Sequence, residues 1–181
     1  MTDLTTNNFG LLIAYLVPGF VIVSAFSGHS PLISSWLGGS AATSPTIGGF
    51  LFITLAAVMA GMIASIIRWL VIDSLHHLTG VRPPKWDFSR LQGGLSAFEA
   101  VVDNHYRYYQ GYSNLLIALL AALFLRPDFS QSFGFTPLSS YIAVSVLIVL
   151  LFVASRDALR KYYERTGSIL SSSSSREGDF Q

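Results

Sequence analysis

Four side chains in this sequence have the types and spacing to hold a metal ion. Asp73 and His77 stand four residues apart, so on a helix they share a face. Asp103 and His105 lie on the following helical stretch. A carboxylate and a neutral imidazole from each of two touching helices would suit a divalent cation and a metal-dependent membrane enzyme. The local pattern argues against this chemistry. His76 and His77 are adjacent and point apart, and no HExxH pattern is present. They are expected to be solvated interfacial histidines. Neither a GxSxG elbow nor a phosphate-binding glycine loop occurs, and Gly93-Gly94 reads as a turn before a helix. With no cysteine, thiolate zinc sites, disulfides and cysteine nucleophiles are excluded. The sequence therefore leads us to expect a non-enzyme without cofactor or metal.

A second constellation is polar without being catalytic. Gln110 and Asn114 share a helix face, and Arg107 extends it. Asn114 falls inside an apolar run, where its amide needs a partner or bears a desolvation penalty of several kcal/mol. It is expected to hydrogen-bond between helices or to line a pore. Arg68 sits near one end of another apolar run. It is expected to snorkel to the interface, with an interhelical ion pair or a lipid phosphate as the sharper option. Tyr106, Tyr108, Tyr109 and Tyr112 are expected in an interfacial belt, where a ring is apolar and its hydroxyl reaches water. Asp103 and Arg107, four apart, are expected to pair.

The segment TGVRPPKWDFSRLQGG interleaves Arg82, Lys85 and Arg90 with Trp86 and Phe88. Basic and aromatic side chains together suit anionic lipid headgroups or a protein partner. With a net charge of +1, the chain has no bias toward nucleic acid.

The elements that carry these residues follow from composition. The chain is 51% hydrophobic and only 12% charged, with a mean hydropathy of +0.52. A soluble domain of 181 residues so poor in charge would struggle to cover its surface. Four apolar runs, about 9–27, 47–72, 108–125 and 138–155, approach the roughly 20 residues that cross a bilayer core of about 30 Å. Continuous apolar runs without alternation predict helices. The first run could be a signal peptide, but residues 1–8 contain no Lys or Arg, so it is expected to remain as a span.

Local signals predict the helix ends. Ser44-Pro45 and Thr136-Pro137 are expected to open the second and fourth helices. Ser96 with Glu99 reads as a capping box for the third. Gly80 followed by Pro83-Pro84 should end the second, and Gly167 the fourth. Three helices then exceed the bilayer by one polar end. Two lines of small residues on the second helix, Ala56, Ala60, Ala64 and Ala57, Gly61, Ser65, mark it as the packing hub. Ala118 and Ala122 of the third helix are its expected partner line. Pro18-Gly19 predicts a kink in the first.

Basic residues cluster in the 73–107 loop and after residue 155, with only Arg126 on the other side. The positive-inside rule places that loop and both termini in the cytoplasm. The expected fold is an all-α integral membrane protein with four transmembrane helices, of which helices 2, 3 and 4 extend into the cytoplasm. One domain covers 1–167, and residues 168–181 read as a disordered, low-complexity tail. The layout is that of small multi-pass proteins of a bacterial inner membrane. The expected role is a non-enzymatic subunit in contact with membrane lipid, anchoring a cytoplasmic protein or assembling with copies of itself. A pore or membrane-disrupting effector is the alternative, and a metal-dependent enzyme a second one.

Overall fold

The computed structural model describes residues 10–37, 46–126 and 136–178. Among them the chain is helical and contains no strand. Four helices form the bundle: α1 (Leu12–Phe26), α2 (Ile47–Leu78), α3 (Leu95–Leu125) and α4 (Pro137–Gly178). A short helix, Pro31–Trp36, follows α1, and a 3-10 turn, Phe88–Gly93, precedes α3. Three of the helices, α2, α3 and α4, are long and apolar enough to cross a membrane. The apolar helix α1 is shorter. At 1.5 Å per residue the three long helices each reach about 45 Å or more, against a hydrocarbon core of about 30 Å.

Helix α3 is the centre of the bundle and packs against each of the other three. Leu116, Ile117 and Leu119 of α3 meet Ala64 and Ile72 of α2 and Leu151 of α4 in one apolar core. The large side chains outside this core, such as Leu51, Phe52, Met59 and Ile66 of α2 and Ile142, Val149 and Leu150 of α4, are exposed along the helices. Apolar side chains on the outer surface suit contact with hydrocarbon.

The packing hub differs from the expected one. The buried line of α2 runs Ile53, Ala57, Gly61, Ala64, Arg68, while Ala56, Ala60 and Ser65 are half-buried. Its close partner is α1 rather than Ala118 and Ala122. A Cβ on Gly61 would fall 2.0 Å from the Tyr15 carbonyl oxygen, and one on Gly19 would fall 1.7 Å from the Ala57 carbonyl oxygen. Two backbones this close admit only glycine at the crossing. Ala118 and Ala122 are fully buried all the same, inside the core around α3.

The helix ends correct two expectations. Helix α2 opens at Thr46, whose hydroxyl accepts from the Gly49 amide at 3.0 Å; Ser44-Pro45 lie outside the described residues. The third helix starts at Leu95 with Gly94 as its cap, so Ser96 is already inside the first turn and caps nothing. Thr136 accepts from the Ser139 amide at the head of α4, as the sequence suggests. Gly80 does end α2: its φ is +97°, Val81 N–H donates to His76 C=O at 2.9 Å and Gly80 N–H to His77 C=O at 3.3 Å. This is the Schellman pattern. Gly167 does not end α4, which continues as a helix to Gly178.

Three turns of the bundle are π-helical: Leu12–Leu16, Trp69–Asp73 and Val102–Tyr106. They lie toward the end of the bundle that carries the basic residues of the 73–107 loop and of α4. The π geometry is rare, and it holds one residue more per turn than the α-helix.

Candidate functional site

The polar side chains that the bundle buries gather where α2, α3 and α4 meet at this basic end. Arg68 is 5% exposed and bonds Asp73, Nη1 to Oδ1, at 3.1 Å. The hydroxyl of Tyr109, from α3, donates to the same carboxylate oxygen. The guanidinium carbon of Arg68 stands 5.1 Å from the centre of the Tyr109 ring, within reach of a cation–π contact. One turn further along α2, His76 is fully buried, with its ring 6.0 Å from that of Tyr109 and 5.0 Å from that of Phe152. Its Nε2 lies 3.1 Å from Ser155 Oγ on α4.

The tautomer of His76 is set by the proton count. The Ser155 hydroxyl donates its single proton to the Phe152 carbonyl at 2.8 Å. Toward His76 it can only accept, so Nε2 carries the hydrogen. Nδ1 is then a buried lone pair, and among the described residues it has no partner. Arg68 Nε is likewise buried without a partner.

The π turn explains why Arg68 and Asp73 meet. Five residues along an α-helix is a rotation of about 140° from the starting face, so the two side chains would diverge. The π turn Trp69–Asp73 absorbs one residue and rotates the rest of α2 back by about 100°. Asp73 then takes the position that an α-helix gives to i+4. The same correction keeps Ile72 and His76 on the buried line of Ala57, Gly61, Ala64 and Arg68. Without it, the four-residue steps from Ala64 to His76 would drift by about 120°.

Deeper in the bundle, Asn114 is fully buried, and its amide donates to the Ala14 carbonyl of α1 at 2.7 Å. Ala14 lies in the π turn Leu12–Leu16, just before Pro18, which contributes no backbone N–H to α1. The Asn114 side chain supplies a hydrogen to the Ala14 carbonyl from another helix. Its Oδ1 has no partner among the described residues. Gln110 is half-buried, while Arg107 bonds Asp103 at 2.5 Å and lies across Gly10. Ser113, also buried, donates to the Tyr109 carbonyl within α3.

Beyond the network, aromatic side chains clamp the loop onto α4. Trp86 meets Tyr162 and Tyr163 edge-on, with ring centres 5.8 and 5.6 Å apart, and meets Phe88 at 5.7 Å. Phe88 touches Phe98 of α3, and Tyr106 lies 5.0 Å from Tyr162. Arg156 donates to the carbonyl of Thr79 at 2.7 Å and to its hydroxyl, closing the end of α2. Arg82, Lys85 and Phe88 are exposed on the outside of this cap, and nothing is described of the Arg90 side chain.

Several expectations change. Arg68 does not snorkel; it is held inward by an aspartate of its own helix. Tyr109, at 1% exposure, is a bundle residue rather than part of an interfacial belt. His76 is not solvated. Trp86 is turned inward onto α4. Asp73 is engaged by Arg68 and Tyr109, and among the described residues no three His, Asp or Glu side chains come together as a metal group. The sequence reading missed the Arg68–Asp73 pair and the role of Ser155. A spacing of five carries no signal on an α-helix, and a serine at the end of an apolar run carries little anywhere. No family model, curated protein or solved structure matches this chain.

Proposed function

We propose that this chain is a non-enzymatic, multi-pass membrane subunit that docks a cytoplasmic protein on its basic end. In this reading the chain crosses the bilayer four times, with α1 completing its span through the residues that flank it. The extended ends of α2, α3 and α4 stand in the cytoplasm, as the distribution of Arg and Lys suggests.

The observation that supports the reading best is the clamp. Trp86, Phe88, Phe98, Tyr106, Tyr162 and Tyr163 fix the 81–94 loop against the polar half of α4. A loop that only joined two spans would gain little from such an anchor. A held loop presents Arg82, Lys85 and half-exposed Phe88 in a fixed arrangement beside the exposed charges of Asp157, Arg160, Lys161 and Glu164. Aromatic and basic residues on a preorganised surface are good interface anchors. A pore draws less support, because Asn114 and Arg68 are enclosed among helices of one chain.

The test is native mass of the tagged chain extracted in lipid particles, with and without Phe88→Ala plus Lys85→Glu. The expected result is a stoichiometric soluble protein that the double variant loses while the bundle still melts normally. A particle of fixed size made of identical chains alone, unchanged by the variant, would overturn the docking role.

A further inference from the structure

We infer that the end of α2 is a register switch, in which the turn Trp69–Asp73 passes between π and α geometry and the Arg68–Asp73–Tyr109 contacts latch it in the π state. The switch does not depend on the docking role and rests on geometry alone.

Three observations carry it. First, the Arg68–Asp73 bond is possible only in the π register, because the two residues are five apart on one helix. The contact and the rare turn therefore stand or fall together. Second, the turn is bounded by α geometry on both sides, Ile47–Arg68 before it and Ser74–Leu78 after it. Converting it to α leaves the α geometry on both sides intact and turns residues 74–79 by about 100°, exchanging the contacts that Asp73, His76 and Thr79 make with Tyr109, Ser155 and Arg156. Third, that short segment ends at Gly80, whose positive φ starts the loop leading to Trp86. Before the turn, Gly61 against Tyr15 fixes α2, so the rotation is confined to residues 74–79, the loop after them and their contacts with α3 and α4. Shifts of helix register are a known form of two-state change.

The α state has a defined structure. Removing the bulge without deleting a residue puts position 75 where position 76 was. Leu75, now 41% exposed, would then face Ser155, and His76 would turn outward. An imidazole whose Nδ1 is buried without a partner gains one in water by this rotation. Asp73 would leave both Arg68 and Tyr109.

The chain has no cysteine, so pairs of engineered cysteines report the register directly. The experiment places Cys at 155 with Cys at either 76 or 75, in native membranes, and joins them with a short bifunctional thiol reagent. With the latch intact, the 76–155 pair is expected to cross-link and the 75–155 pair is not. In the Arg68→Met/Asp73→Ala background, which removes both charges at once, the preference is expected to reverse at least fivefold. Deleting Val71, an exposed residue inside the turn, converts π to α while leaving later residues in place. In that deletion background 76–155 is expected to cross-link whether or not the latch is present. Tyr109→Phe, which removes one bond only, is expected to give both products. If the latch variants and Tyr109→Phe keep the 76–155 product alone, or if the deletion fails to suppress the shift, the switch is overturned.

Discussion

The side-chain amide of Asn114 donates to the backbone carbonyl of Ala14, one hundred residues earlier, in the π turn of α1 that precedes Pro18. A buried amide of α3 and an irregular turn of α1 are joined by this one bond. Their coupling is measurable. Asn114→Ala is expected to destabilise the bundle by about 1–2 kcal/mol, the range for interhelical hydrogen bonds and unmet buried groups. In a Pro18→Ala background α1 gains an N–H close to that carbonyl, and the same substitution should cost clearly less. A double-mutant cycle of unfolding in mixed micelles checks this; equal losses in both backgrounds would show the two residues to be independent.

Glycine substitutions should separate by what they touch. Gly61→Ala drives a methyl against the Tyr15 carbonyl and is expected to cost about 2–3 kcal/mol or more by overpacking. Gly167→Ala meets nothing within 4 Å and lies inside a continuous helix, so it should stabilise α4 by about 0.5–1 kcal/mol. Thermal melts of the two variants, followed by circular dichroism, should move in opposite directions. A loss of helix in Gly167→Ala would restore the view of that residue as a stop.

Removing one charge of the buried pair should be worse than removing both. Asp73→Ala leaves the Arg68 guanidinium uncompensated, at about 3–5 kcal/mol for a pair this buried. Arg68→Met with Asp73→Ala should recover part of that loss, making the cycle non-additive by about 1–3 kcal/mol. Additive losses would mean that the charges are solvated rather than paired.

Trp86→Ala is expected to free the loop without unfolding the bundle. The indole packs edge-on against two tyrosines of α4 and remains half-exposed, so a loss of about 2–3 kcal/mol confined to the cap is reasonable. Limited proteolysis should then cut within 81–94 at least tenfold faster, with the fragments still held together in the micelle. An unchanged cleavage rate would show that the indole does not hold the loop.

The helices were legible in the sequence because an apolar run of sufficient length has few alternatives in lipid. The stop at Gly80 was legible too, since a positive φ needs glycine and two prolines come soon after. Gly167 misled for the same reason in reverse. A glycine ends a helix when the next residues leave it, and Ser168, Ile169 and Leu170 stay helical. The buried network was hardly legible at all. Hydropathy does not register a single extra residue in a turn, yet that residue decides whether Asp73 faces Arg68. Asn114 was visible as an amide that needed a partner, but its partner is the Ala14 carbonyl, which only the packing of α1 on α3 reveals. Trp86 read as exposed because its anchors, Tyr162 and Tyr163, lie more than seventy residues away.

Helix α3 is the least apolar of the three long helices and the most enclosed by its neighbours. Its interior positions include Ser113 and Asn114, which hydrocarbon alone would not welcome. During synthesis it comes after α1 and α2, which already display the Ala14 carbonyl and the Asp73 carboxylate. In the membrane setting we propose, its entry into the bilayer is a step of assembly as much as of partitioning.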